Sequence, residues 1–234
     1  MKNFRKGFTL IEVLVVLGII AFMATSITMI SMKDNSQGIS AARHSFMTSF
    51  YTARMAAITR QTPVMVIVYK GDDVTRRLRQ IGIIYQAKRG NTSLGWSALD
   101  EGYVMPEGTF FVPPEDDFDK YVRTSKNIKK EEVFCSTFND IYTGSNSVIS
   151  IKEFPSINPQ PISTGDGDWY SYQFSPDGIS MNPGAYVMLA VGRQNNAGIF
   201  TIDNPSLQLG FVIRKLGHTV AFTGYDEMEE VIKK

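Results

Sequence analysis

The chain begins with seven residues, three of them basic, and then turns apolar without a break. No charged residue occurs from Val13 to Met32, and a single carboxylate, Glu12, stands at the head of this run. At ~1.5 Å per helical residue the run can cross a hydrocarbon core of ~30 Å. Lys33 to Gly38 is polar. Apolar residues then recur at Ile39, Ala42, Phe46, Phe50, Ala53 and Ala57, in the steps of three and four that mark one face of a helix. No proline occurs between Phe8 and Pro63. The pattern predicts one helix from about Phe8 to about Arg60, weakest at Gly18 and Gly38, and closed by Pro63 because the residue before a proline disfavours helix. The apolar face of its second half needs a sheet to cover it.

After Pro63 the period changes to strands. Val64–Tyr69 is a β-rich run, and Lys70-Gly71-Asp72-Asp73 reads as a turn. A second strand is expected over roughly Arg77 to Gln86, and a third over Thr109 to Val112, stopped by Pro113-Pro114. From Glu115 to Gly167 the periodicity fails, apart from a short strand at Val148–Ile151. This stretch reads as an irregular insertion ordered by Tyr121, Phe134, Phe138, Ile141 and Tyr142. Strands return at Trp169–Phe174, Ala185–Val191, Leu209–Arg214 and His218–Phe222, with a tight turn at Ser175-Pro176-Asp177-Gly178. The segment Gly192–Asn196 reads as a loop and Asp226–Glu230 as a short exposed helix.

The charges around the apolar run decide how it is used. Lys2, Arg5 and Lys6 precede it with no acid among them, so the positive-inside rule keeps the first residues cytoplasmic and sends everything after Met32 outward. A carboxylate inside the bilayer is costly and usually marks a functional contact. If the chain is cut between Gly7 and Phe8, the new amine lies one helical turn from Glu12. Neither charge is tolerable alone in hydrocarbon, so each is driven toward an opposite charge. Two plainer readings exist. One is a signal anchor in which Glu12 snorkels to the headgroups. The other is a secretory signal peptide cut among the small residues Ala21 to Ser26, but the apolar run continues to Met32, beyond a usual h-region.

The stretch Lys6-Gly7-Phe8-Thr9-Leu10-Ile11-Glu12 and the run behind it resemble the class III signal of the type IV pilin superfamily. The resemblance implies cleavage after Gly7 by a prepilin peptidase, N-methylation of Phe8, and assembly through Glu12, which meets the amine of a neighbouring subunit. It implies as partners the prepilin peptidase/N-methyltransferase, other pseudopilins or pilins, an inner-membrane assembly platform and the membrane itself. Ala53-Arg54-Met55-Ala56-Ala57-Ile58, Met105-Pro106-Glu107-Gly108 and Phe174-Ser175-Pro176-Asp177-Gly178 resemble, in that order, motifs of the H-type minor pseudopilins, the GspH/FimT-like family.

The expected fold is therefore α+β and pilin-like: a long N-terminal helix, half in the membrane and half periplasmic, packed on an antiparallel β-sheet. The expected divisions are a cleaved leader at 1–7, a transmembrane and assembly helix at 8–32, the periplasmic half of the helix at 33–62, and a β domain at 63–234 with its insertion at about 115–167. The expected location is the inner membrane, single-pass, with the C-terminal domain periplasmic, and then the pseudopilus or pilus. The expected role is a structural minor subunit of a type II secretion pseudopilus, with no enzymatic activity. The alternative is a minor pilin of a type IV pilus, binding DNA in natural transformation.

Composition adds limits. The 234 residues carry a formal charge of +1, and loss of Lys2, Arg5 and Lys6 takes the side chains to −2, so no bulk charge favours nucleic acid. Arg76, Arg77 and Arg79 form the one basic spot weighed as a nucleic-acid contact, against a solvated or subunit-facing strand edge. Cys135 is the only cysteine, which excludes an intramolecular disulfide and leaves a small, mostly buried residue as its expected role. His44 and His218 show no zinc-ligand spacing, and structural roles are expected for both. Glu115-Asp116-Asp117 and Asp166-Gly167-Asp168 do not match a calcium loop. No cofactor or metal is expected.

Overall fold

The computed structural model describes residues 10–129, 132–137, 148–164 and 167–233. The chain divides into two compact units, Met1–Gln37 and Gly38–Lys234. Helix α1 (Leu10–Arg60) contributes to both, and neither Gly18 nor Gly38 interrupts it.

The second unit is α+β. Its elements after α1 are β1 (Val64–Tyr69), β2 (Gln80–Arg89), β3 (Thr92–Ala98), β4 (Tyr103–Val104), β5 (Thr109–Phe111), α2 (Glu115–Tyr121), β6 (Val122–Thr124), β7 (Val148–Ser150), β8 (Ser163–Thr164), β9 (Trp169–Phe174), β10 (Tyr186–Val191), β11 (Arg193–Gln194), β12 (Phe200–Ile202), β13 (Gln208–Ile213), β14 (Thr219–Thr223) and α3 (Gly224–Lys233). Among the described residues the strands form three sheets. The first has the order β3-β2-β1-β9-β7-β8, with β4 also on β2; the second is β14-β13-β10-β5; the third is β11-β12-β6. Pairing is antiparallel except between β6 and β12, which run parallel across a long connection.

Within this unit the residues of α1 from Ile39 to Ala57 seat on the seam between the first two sheets. The six positions picked out by helical spacing, Ile39, Ala42, Phe46, Phe50, Ala53 and Ala57, are all buried. Phe46 meets Phe111 and Phe211 of the second sheet edge-on, at 6.2 and 5.6 Å between centroids. Phe50 reaches both sheets, with Tyr172 at 5.2 Å and Phe211 at 5.3 Å. Each fully buried phenylalanine removes enough apolar area to stabilise the unit by roughly 1.5–3 kcal/mol. The alanines between them let the helix approach.

β1 is buried along almost its whole length because it is central and covered on both faces. Val64, Val66 and Val68 join the core under α1, while Met65 and Ile67 join a second cluster with Ile84, Ile149, Ile151 and Trp169. That second cluster is closed by Phe154 and Ile162. The stretch from Ile151 to Ile162 thus forms a strap across the outer face of the first sheet. It also lines β3, where Trp96 and Gln160 exchange main-chain hydrogen bonds of 2.8 and 3.0 Å and the Ala98 N–H donates to Ser156.

The stretch at 115–167, expected as an insertion with one short strand, holds that strand as β7 and also α2, β6 and β8, each too short to show a period. Tyr121 is buried and Phe134 packs on the main core, while Phe138, Ile141 and Tyr142 lie outside the described residues. The second strand starts at Gln80, not Arg77, because Leu78 takes φ 55° and the Arg76 and Arg77 N–H groups turn back to the Asp73 carbonyl. Leu78 is held there by bonds to the Tyr69 and Phe111 main chains. β11 lies in the segment expected as a loop, and no strand was expected over β3 or β12. The C-terminal helix is present and extends to Lys233, burying Met228.

Candidate functional site

The first unit presents its candidate assembly segment as bare helix. Leu10 is its first described residue, and Glu12 lies in the first turn of α1; its side chain is outside the described ones, as are Gly7 and Phe8 entirely. Ile11, Val13, Leu14, Val15, Val16, Leu17 and Ile19 are all at least half exposed or close to it, from 49% to 69%. Consecutive positions on a helix point around its whole circumference, so no single polar face remains. A helix apolar all round is stable only inside lipid or among other helices. Among the described residues no helix is long and apolar enough to cross a membrane; side chains from Ile20 to Asn35 are not described.

Arg76, Arg77 and Arg79 lie in the turn between β1 and β2, and their guanidinium groups face the protein. Arg77 donates from Nε to the Gly71 carbonyl at 2.8 Å, from Nη1 to Ala197 at 3.0 Å and from Nη2 to Asp72 at 3.2 Å. Its side chain is 12% exposed, and its guanidinium stands 5.7 Å from the Tyr121 ring. Arg79 donates to the Met105 and Thr75 carbonyls, and its Nε is buried without a partner among the described residues. Arg76 bonds Gln80 and lies over the Tyr69 ring. The turn is set by Asp73, whose carboxylate accepts the Thr75 hydroxyl at 2.7 Å and N–H at 3.0 Å. The bond from the Thr75 hydroxyl is the main cause of a carboxyl held below its usual range.

Beside this turn is a cleft of about 400 Å³ lined by Lys70, Arg77, Lys120, Tyr121, Asp168 and Ile199, among others. Lys70 of its lining belongs to a compact network beneath the cleft. Asp117 accepts the Tyr170 hydroxyl at 2.5 Å and the Lys70 ammonium at 3.4 Å, and Lys70 also lies 4.9 Å from the Tyr170 ring centre. Burial first, and then the Asp117 carboxylate, push the Tyr170 hydroxyl far above the usual phenol range. Such a phenol is a fixed donor that ties α2 to β9, not a proton carrier near neutral pH.

The remaining candidates do not converge. Cys135 is half-buried at the edge of the main core, and His44 and His218 are exposed on α1 and before β14. Among the described residues no group of three His, Cys, Asp or Glu side chains could hold a metal. Glu115 and Asp116 are exposed on the first turn of α2, and Asp166 lies outside the described residues.

Residues 2–28 match the family model of the prokaryotic N-terminal methylation motif. The match supports a type IV pilin-like protein. It covers the prepilin leader and the methylation motif, and so implies processing by a prepilin peptidase, assembly with other pilins and a membrane anchor. No curated protein matches the chain. No solved structure matches it.

Proposed function

We propose that this chain is a structural minor subunit of a type II secretion pseudopilus, of the GspH/FimT-like kind, that supports protein export and catalyses no reaction. The observation that carries the reading is the methylation motif over residues 2–28, within which α1 exposes its described aliphatic side chains on every side. A leader ending at Gly7 is removed, Phe8 becomes the methylated terminus, and residues 8–32 anchor the subunit in the inner membrane and then in the filament. Residues 33–60 continue the helix onto the periplasmic β domain. The Glu12 carboxylate then meets the Phe8 amine of a neighbour, because two opposite charges in a medium of low dielectric hold each other strongly.

The alternative is a minor pilin of a type IV pilus that contacts DNA through Arg76, Arg77 and Arg79. The engagement of all three guanidinium groups with carbonyls, Gln80 and aromatic rings favours a structural role for them. Release of counterions by free cations dominates nucleic-acid affinity, and clamped arginines contribute little of it.

The test is Glu12→Val in the native strain, followed through membrane fraction, leader cleavage and recovery in sheared filaments. Insertion and cleavage are expected to persist, while recovery falls at least tenfold. Recovery at the wild-type level would remove Glu12 from the account of assembly.

A further inference from the structure

Arg54 lies on α1 one turn before Ile58, and its stem runs against two glycine turns of the β domain. A β-carbon on Gly217 would stand 2.7 Å from Arg54 Cδ, and one on Gly178 would stand 3.2 Å from Arg54 Cγ and 2.7 Å from Ile58. Both glycines have a positive φ, +75° and +72°. The Gly217 N–H closes its turn on Arg214, the Gly178 N–H closes the other on Ser175, and the Ser180 N–H ties the two turns together at Lys215. The stem is therefore fixed, yet its guanidinium has nothing to hold. Among the described residues it donates no hydrogen bond and forms no ion pair, and its Nε is buried. Arg43, Arg76, Arg77, Arg79 and Arg214 are also half-buried, and each of them donates at least one hydrogen bond. Asp177, the one carboxylate on the two turns, is exposed and does not pair with Arg54. Apolar side chains flank the cation on the surface. Met55, next to Arg54, is 40% exposed, and Ile179 and Leu216, each next to one of the glycines, are 38% and 58% exposed.

We propose that Arg54 is the seat for a carboxylate on a neighbouring, different pilin-like subunit. A half-buried cation without a partner has lost hydration and gained nothing in return. A carboxylate makes good that loss, and the planar guanidinium can grip it through two parallel N–H bonds. A single fixed arginine among apolar side chains suits one acidic side chain in a protein interface. It does not suit a nucleic acid, whose affinity grows with the number of free cations. The glycine turns order the stem in advance, which removes part of the entropy that docking costs. Met55, Ile179 and Leu216 would shield the pair from water, the setting in which interface arginines contribute most. The neighbour is a different polypeptide because a minor subunit is flanked by other members of its filament. The N-terminal helices bring those members to high effective concentration. The inference rests on the filament reading and adds the residue through which the β domain meets its neighbour.

The experiment uses the full chain in its native strain, with a photo-crosslinking benzoyl-phenylalanine in place of Leu216 and the cross-linked peptides mapped by mass spectrometry. Illumination is expected to join this position to a different polypeptide that carries its own N-terminal methylation motif and an acidic residue at the contact. Arg54→Met keeps the stem and removes the charge, and it is expected to lower the yield severalfold. Arg54→Glu is expected to abolish the product, and exchanging the mapped acidic residue for arginine to restore it. Folding is read separately. Because the guanidinium makes no hydrogen bond within the subunit, Arg54→Met is expected to keep or raise the urea midpoint of the purified chain. A lowered midpoint, no product, a yield indifferent to the charge at position 54, or a product with a second copy or with a protein lacking the motif overturns the proposal. Leader cleavage and recovery in sheared filaments are scored in parallel. A cleaved subunit that enters filaments without an Arg54-dependent cross-link rejects the seat and leaves the subunit role standing. A chain neither cleaved nor recovered in filaments removes the subunit role itself, and the seat with it.

Discussion

The ring of Phe154 occupies the place that a β-carbon on Gly82 would take. Gly82 lies near the start of β2, opposite Ile67, and the missing side chain is what lets the strap lie down on the sheet. Phe154 then meets Trp169 edge-on at 5.2 Å and seals the second apolar cluster. Gly82→Ala is expected to lower unfolding stability by about 1–3 kcal/mol, as overpacking does. Phe154→Ala is expected to cost about 3 kcal/mol, and the double variant less than the sum of the two, because the methyl refills part of the vacated space. Urea denaturation of the four proteins measures this. Strict additivity would mean that the two residues do not meet.

This relationship also marks the limit of what the sequence conveyed. α1 was legible because its period runs through six positions and burial follows it residue for residue. β1 and β9 were legible as unbroken β-rich runs, and both are central. The strap was not legible, since Ile151, Phe154 and Ile162 have no period and are apolar only in relation to a surface elsewhere in the chain. β3 was missed although Arg89-Gly90-Asn91-Thr92 carries a hairpin signal; Gly95, at φ +118° against Gln160, breaks its alternation. The arginine cluster was visible as charge, but its hydrogen bonds run to carbonyls up to 120 residues away and leave no local trace.

Arg77 joins the β1–β2 turn to the loop after β11 through three carbonyls. Arg77→Ala is expected to destabilise the β domain by about 1.5–3 kcal/mol, the range for hydrogen bonds from a charged donor. Arg77→Lys is expected to recover little of that, because an ammonium cannot reproduce the planar fork. Denaturant midpoints read the outcome. A neutral Arg77→Ala would return the side chain to the pool of surface cations.

Tyr170 and Tyr172 set a limit at alkaline pH. Burial raises both hydroxyls, with the Asp117 bond adding to the effect at Tyr170 and the Ser180 bond opposing it at Tyr172. In the unfolded chain they ionise near 10.0, so above that pH the unfolded state binds fewer protons than the folded one. Stability is then complete below about pH 10 and falls as pH rises further, by about 1.4 kcal/mol per pH unit for each tyrosine. Absorbance at the tyrosinate band is expected to leave these two silent until the domain unfolds, and Tyr170→Phe to make the alkaline slope shallower. Titration of every tyrosine ahead of unfolding would contradict the network.

The central claim is that the chain is processed as a prepilin, and the intact mass of the mature protein tests it most directly. Expressed with a prepilin peptidase and purified from membranes, it is predicted to begin at Phe8 and to carry one added methyl group. Gly7→Val, which crowds the cut, is predicted to keep all seven leader residues attached. A mature protein that begins at Met1, or at Ala24 as a secretory cleavage would leave it, would contradict the account.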